Sequence, residues 1–376
     1  AGDFLTSHLF WNNGDGTFTE GTAAAGVGGD QNGMGATIAD YNGDGLLDWF
    51  VTSIYDRVND CTQGGCGWGS TGNRLYLNTG ARTFVDWTDQ AGVRDGGWGW
   101  GATSLDYDND GDVDLTMTNG IDWEALSNDD HFIDDPMRLW RNDGATFTEV
   151  AQSVGLTATA KGKGYLTLDF DRDGDTDLFV TNVGPNVMYV NNGDGTFTDK
   201  TAKLKVGDPR WATSAAMFDA NGDGKLDLYV VNNLGWSDSI EIECFNYYGE
   251  PDYCSPNNYN APSADALYTF GRLGFTDATL RTGIDAAFGN GLGLAVGDAD
   301  LDGDLDVYVA NDATTNLLWV NDGRAIFEDR GIRAGCGLNG NGTPEAGMGV
   351  QFVDLDEDGD LDLYMTHLRR ETNTYY

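Results

Sequence analysis

The sequence predicts an all-β fold: a β-propeller of six four-stranded blades, each built around a metal-binding loop. Three observations carry this expectation. A nine-residue acidic motif returns six times, short apolar strands flank each copy, and glycine supplies 54 of 376 residues, about twice ordinary usage. The chain holds 61 Asp plus Glu against 21 Lys plus Arg, a formal net charge of −40. That balance excludes nucleic acid and anionic membranes as partners, since both select basic faces. Hydrophobic residues, at 40%, suffice for a core, and no apolar run reaches the ~20 residues of a membrane span.

The acids keep one register, D-x-(D/N)-x-D-G-x-x-D. Its oxygen-bearing positions are Asp40, Asn42, Asp44 and Asp48 in the first loop and Asp106, Asp108, Asp110 and Asp114 in the second. The third has Asp169, Asp171, Asp173 and Asp177, and the fourth Asp219, Asn221, Asp223 and Asp227. Asp298, Asp300, Asp302 and Asp306 form the fifth; Asp354, Asp356, Asp358 and Asp362 form the sixth. Together these 54 residues hold 26 aspartates. Charge crowded this way calls for a hard cation, and Ca2+ takes six to eight oxygen ligands, a backbone carbonyl often among them. About six Ca2+ ions are therefore expected, with the glycine at position six making the sharp turn and position seven offering its carbonyl.

An EF-hand opens with the same residues but needs a glutamate at position 12 and flanking helices. Position 12 here is Val51, Met117, Val180, Val230, Val309 or Met365, and the flanks, such as Leu226-Asp-Leu-Tyr-Val230, read as strands. The EF-hand is rejected.

Each loop sits in a longer unit, beginning near residues 33, 99, 162, 212, 291 and 347 of a single domain spanning 1–376. A small-residue strand A, such as Gly33–Ala39 or Gly291–Val296, precedes the loop, and an aromatic-aliphatic strand B follows it. After a variable insert come strand C, such as Asn186–Tyr189, a glycine turn, and strand D, such as Phe197-Thr-Asp199. Four short strands repeated in this way read as propeller blades, with the glycine-rich A strand nearest the crowded axis.

These loops, with their N-x-G-D-G-x-F turns, resemble FG-GAP/VCBS repeats, the calcium-binding blades of integrin-α-type propellers. Ala261-Pro-Ser-Ala-Asp-Ala-Leu-Tyr268, Asn290–Asp298, Ala310-Asn-Asp312 and Glu345–Val350 are similar to the propeller of ASPIC/UnbV proteins, the cartilage acidic protein relatives. The resemblance implies a secreted, calcium-stabilised propeller serving adhesion or assembly. Neither an ASPIC/UnbV C-terminal module nor an Arg-Gly-Asp-type ligand sequence is read in the chain.

Six A–B hairpins accompany seven C-type strands. The pattern predicts that the N-terminal pair, His8–Trp11 with Phe18–Glu20, completes blade six and closes the ring. Asn373–Tyr376 is then surplus, available to a seventh blade if the chain continues, or to a copy of the chain, since an unpaired edge invites assembly.

The inserts, 53–72, 119–136 and 232–264, fall between B and C and so on one rim. That face also gathers Trp68, Trp98, Trp100, Trp123, Trp236, Tyr247, Tyr248, Tyr253 and Tyr259, either as a binding platform or as packing beneath the loops. Cys61 with Cys66 and Cys244 with Cys254 are spaced for short disulfides, which agrees with an oxidising compartment; Cys336 is odd. With no leader segment visible, the numbering is expected to start at a mature end of a secreted or cell-surface protein. Asn341-Gly-Thr343 is the one glycosylation sequon.

His131 with Asp129, Asp130, Asp134 and Asp135 is the candidate acid/base cluster, although a solvated acidic loop explains it as well. No nucleophile elbow or zinc-protease pair occurs, and no catalytic residue is assigned. Extracellular adhesion or structural assembly without catalysis is the function expected, with an extracellular protein, a glycan or a copy of the chain as partner. Glycan binding on the aromatic face and carbohydrate-active catalysis are the alternatives.

Overall fold

The computed structural model describes residues 2, 7–56, 69–120, 135–158, 161–245, 249, 251, 252, 254–368 and 371–376. It is an all-β propeller of six blades, each a separate antiparallel sheet. The chain divides into two compact units, residues 1–180 with 187–200 and residues 181–186 with 201–376.

The first unit opens with β1 (Phe10–Asn12) and β2 (Phe18–Glu20), a two-stranded sheet. Blade one comprises β3 (Ala36–Ala39), β4 (Asp48–Val51), β5 (Arg74–Asn78) and β6 (Phe84–Asp86). Blade two comprises β7 (Gly99–Leu105), β8 (Asp114–Asn119), β9 (Arg138–Asn142) and β10 (Phe147–Glu149). Blade three comprises β11 (Gly162–Leu168), β12 (Asp177–Asn182), β13 (Val187–Asn191) and β14 (Phe197–Asp199).

In the second unit, blade four pairs β15 (Ala212–Phe218) with β16 (Asp227–Asn232). A small sheet, β17 (Cys244–Phe245) with β18 (Pro251–Asp252), interrupts the chain before β19 (Ala266–Gly271) and β20 (Gly274–Asp277) complete the blade. Blade five comprises β21 (Gly291–Gly297), β22 (Asp306–Asn311), β23 (Leu317–Asn321) and β24 (Phe327–Asp329). Blade six has three strands, β25 (Gly347–Val353), β26 (Asp362–His367) and β27 (Thr374–Tyr375).

Strand B is the buried centre of blades one to five. Every residue of β8, β12, β16 and β22 is buried, and each of these strands has a partner on both edges. Between blades one and two lie Tyr41, Phe50, Leu75, Leu115, Met117 and Trp140; between blades two and three lie Leu105, Tyr107, Leu178, Val180 and Tyr189. Tyr229 and Val231 meet Val307, Val309 and Trp319 in the second unit, and Tyr308 and Ala310 meet Leu363 and Met365. Each blade thus turns one set of B residues backward and the alternate set forward.

The expected crowding at strand A is present. A Cβ at Gly101 would stand 2.9 Å from the Gly164 Cα, and one at Gly35 would overlap the Trp100 carbonyl oxygen. Backbone atoms cannot rotate aside as side chains can. Gly35→Ala is therefore expected to cost about 1–2 kcal/mol in denaturant unfolding, against a neutral Gly43→Asn control in the open first loop.

One closure expectation is corrected. The N-terminal pair does not join blade six: β27 lies on β26, with Tyr364 opposite Tyr375 and Met365 opposite Thr374. The C-terminal strand is therefore not surplus. The short link from β26 to β27 closes at little entropic cost, and Asn373 pins it by accepting the His367 N–H at 3.2 Å. The N-terminal pair instead packs on blade one, where Trp11 stacks over Phe84 at 6.4 Å. Among the described residues, no helix is long and apolar enough to cross a membrane.

Candidate metal centres

The six loops share one hydrogen-bond scheme. The position-one carboxylate accepts the backbone N–H groups of positions five and six: Asp169 takes Asp173 and Gly174, each at 3.0 Å, and Asp298 takes Asp302 at 3.1 Å and Gly303 at 3.0 Å. The position-five carboxylate accepts the N–H of position seven, as Asp110 does from Asp112 at 2.9 Å. Position nine spans further. Asp177 Oδ2 accepts the Phe170 N–H at 3.1 Å, and its Oδ1 accepts the Asn191 N–H of strand C at 2.9 Å. Asp48, Asp114, Asp227 and Asp306 repeat this bridge, so one buried carboxylate fixes loop, strand B and strand C together.

The turn needs two left-handed residues. Glycine at position six has φ between 79° and 100° in all six loops, as its recurrence in the motif suggested. Position four is also left-handed, and there the residues are Gly43, Asn109, Arg172, Gly222, Leu301 and Glu357. The sequence reading missed this second position. Its signal was the Gly or Asn in three of the loops, the residues that tolerate such backbone best.

Four loops bring three carboxylates together with ligand atoms all within 4.8 Å of one another: Asp106, Asp108 and Asp114; Asp169, Asp171 and Asp177; Asp298, Asp300 and Asp302; Asp354, Asp356 and Asp362. Loops one and four have asparagine at position three. Asn42 Nδ2 donates to Asp44 at 3.1 Å and Asn221 Nδ2 donates to Asp227 at 2.8 Å, while Lys225 pairs with Asp223 at 2.7 Å. These two loops satisfy part of their charge internally.

Electrostatics favours a cation on the loops. Burial pushes Asp114 and Asp177 up to about 7, and neighbouring loop carboxylates add to the shift. Burial likewise raises Asp48 and Asp306 and takes Asp227 to about 6. Such groups are costly as bare anions, and a divalent ion on the loop would compensate them. The donors are hard oxygens only, which fits that role. Cys, with its soft sulfur, and His are absent from all six sets.

Asparagines at the end of strand C carry the scheme between blades. Asn142 Nδ2 donates to Val113 O in its own loop at 3.0 Å and to Tyr41 O in the preceding one at 2.8 Å; Asn191 and Asn321 do the same with Tyr107 O and Ala220 O. Removing that amide strands buried carbonyls. Asn142→Ala should cost about 2 kcal/mol in denaturant unfolding, whereas the exposed turn change Asn192→Ala should cost well under 1 kcal/mol.

Among the described aromatics of the insert rim, Trp98 and Trp100 pack. Trp98 is buried with Ile54, beside Met34 and Trp100. Trp100 donates its indole N–H to Gly120 O at 2.8 Å and lies under the Lys163 ammonium, 3.7 Å from the ring centre. Trp236 and Tyr259 both donate to Glu241, at 2.6 and 3.1 Å. Trp68, Trp123, Tyr247, Tyr248 and Tyr253 lie outside the described residues. Cys244 and Cys254 form the expected disulfide, whereas Cys61 and Cys66 lie outside the described residues. Cys336 is buried, and burial pushes its thiol up to about 11.

The two described histidines, His8 and His367, remain apart from the loops. His8 is exposed beside Glu20, and buried His367 is 3.7 Å from Glu345. His131 lies outside the described residues, as do Asp129, Asp130 and Asp134. Asp135 is paired with Arg138 at 3.1 Å.

Residues 2–51, 169–230 and 298–365 match the FG-GAP-like repeat family. Human cartilage acidic protein 1 is 28% identical over 242 residues, covering 58% of this chain and 30% of that protein. The mouse protein of the same name is 27% identical over 235 residues, covering 58% and 31%. The chain thus spans about a third of the length of these relatives. Among solved structures, an Agrocybe aegerita lectin described as recognising non-reducing terminal N-acetylglucosamine aligns with 16% identity and a TM-score of 0.44, over 85% of this chain and 72% of its own. The Vibrio cholerae biofilm matrix protein Bap1 aligns with 15% identity and a TM-score of 0.35, over 70% and 34%.

Proposed function

We propose, from the premise that this chain is an FG-GAP-repeat β-propeller related to cartilage acidic protein 1, that it is an extracellular calcium-binding module of adhesion or structural assembly. The observation that carries this reading is the buried position-nine aspartate, which in five blades ties an acid-rich loop to the strand beyond it. An ion on such a loop would hold a blade together rather than activate a substrate. The all-oxygen donors suit Ca2+, and weak sites of about 10⁻⁴–10⁻³ M would fill outside cells and empty in low-calcium cytosol. The Cys244–Cys254 disulfide points to the same compartment, as does the cartilage in the relatives' name.

Packing of Trp98 and Trp100 favours assembly over a sugar-stacking platform. Calorimetric titration of the apo protein with calcium should reveal several sites of that affinity, and a glycan array should stay silent. Heat absent from the titration would remove the calcium reading; a saturable array signal would replace assembly with glycan recognition.

A further inference from the structure

Loops two and three are tied to each other directly, and both lie in the first unit with the end of β13 that spans them. At position four of loop two, Asn109 Nδ2 donates to Asp175 Oδ1 of loop three at 2.7 Å. Asp175 is position seven, the residue expected to offer its carbonyl to the ion. Its own N–H donates to Asp173 Oδ1 at 3.1 Å. Its carboxylate rests on the β13–β14 turn, where a Cβ at Gly193 would stand 2.6 Å from Asp175 Oδ2. Neighbouring loop, position-five ligand and turn together hold this one residue.

Asn191 supplies a second link. Its Nδ2 donates to Tyr107 O, position two of loop two, at 2.8 Å and to Thr176 O, position eight of loop three, at 3.3 Å. The bond to Tyr107 is buried, so it is not exchanged for water without cost. Between loops one and two Asn142 repeats the asparagine link, but position four there is Gly43, which has no side chain to donate. The direct bond through Asn109 is an addition to the shared scheme.

We propose that loops two and three fill with calcium cooperatively, and that Asn109 is a positioning residue for the loop-three site. This coupling rests on the calcium reading of the loops and is independent of adhesion. An ion on loop two fixes Asp108 and Asp110, and with them the left-handed backbone of Asn109 between them, at φ 59°. The amide is then held where it meets Asp175, so loop three loses less entropy when its own ion binds. By linkage the effect is reciprocal. Coulomb forces act the other way: each loop carries five carboxylates, and an ion on one weakens the field of both. That opposition is screened over about 8 Å at physiological ionic strength, whereas the hydrogen bonds through Asn109 and Asn191 are direct contacts. The bonded link therefore sets the sign.

Hydrogen exchange read by mass spectrometry, on peptides covering 106–114 and 169–177, gives a calcium midpoint for each loop across a titration at constant salt. Asp106→Ala disables loop two and should raise the loop-three midpoint by about fivefold or more; Asp169→Ala should raise the loop-two midpoint by the same factor. Asn109→Gly removes the amide and keeps a backbone that Gly43 and Gly222 already adopt, so folding should survive. It should raise the loop-three midpoint by about threefold, with the loop-one midpoint and the melting temperature in chelator unchanged. Asn109→Asp sets two carboxylates together and should raise the midpoint further. Adding Asp175→Asn to it restores the bond with donor and acceptor exchanged, and should return the midpoint toward the parent value. A loop-three midpoint that stays or falls in Asp106→Ala overturns the cooperativity. One unmoved by Asn109→Gly, or a double variant without rescue, overturns the positioning role. Exchange indifferent to calcium in every loop of the parent chain ends the calcium reading and the coupling with it, a result distinct from the others.

Discussion

Excess chelator should lower the melting temperature by roughly 10 °C at neutral pH. An ion that binds only the folded chain stabilises it by mass action; at about 2 mM calcium and a Kd of ~10⁻⁴ M, each filled loop contributes about 2 kcal/mol. Four loops bring three carboxylates within reach of one ion. Several kcal/mol acting on a chain of 376 residues gives a shift of that order. Calcium should restore the melt and magnesium should not, because six-oxygen octahedral packing at short range does not suit these open loops. Asp298→Ala should remove one loop's share of the response, and the same change at Asp219 should remove less, because loop four already spends charge on Lys225 and Asn221. A melt unmoved by chelator would leave the acidic loops as turns and end the calcium reading.

The loops were legible because one motif is written six times with its glycine fixed. The small residues of strand A were legible for a similar reason: only a backbone approach such as Gly101 on Gly164 needs them. Legibility failed where long-range packing decides. Nothing in His8–Trp11 states which blade it will join; Trp11 lies on Phe84, and β27 pairs with β26 across a short link. The aromatic rim failed likewise. An indole reads the same whether it faces solvent or donates to Gly120 O, as Trp100 of β7 does. Position four of the loops hid its left-handed backbone beneath Arg172, Leu301 and Glu357, which carry no turn signal.

Blade four contains a departure that the repeat itself exposes. Where strand C begins, Asn73, Asn186, Asn316 and Asn373 each accept the backbone N–H at the end of strand B, at 2.9, 3.0, 2.8 and 3.2 Å. Blade four has Asp265 in that place. It accepts the Asn232 N–H at 2.9 Å and the Tyr229 hydroxyl at 2.8 Å, and burial raises its carboxyl from 3.8 to about 6 despite backbone and tyrosine donors and nearby Arg210. Below about pH 4 the group is protonated in folded and unfolded chains alike and costs nothing. Between about pH 4 and 6 the unfolded chain ionises first, so stability falls as pH rises; above that the deficit is constant. Asp265→Asn should therefore raise stability at pH 8 by on the order of 2–3 kcal/mol, a melting shift of a few degrees, with the gain vanishing near pH 4. The asparagine geometry already exists in blade six, where Asn373 Nδ2 donates to the Tyr364 hydroxyl at 2.9 Å. Arg210 keeps its pairing with Asp208 in the variant. Thermal melts of both proteins at matched pH cancel the titration of every other carboxylate. A variant less stable than the parent at pH 8, or a gain unchanged at pH 4, would show that the aspartate is held for its charge beside Arg210.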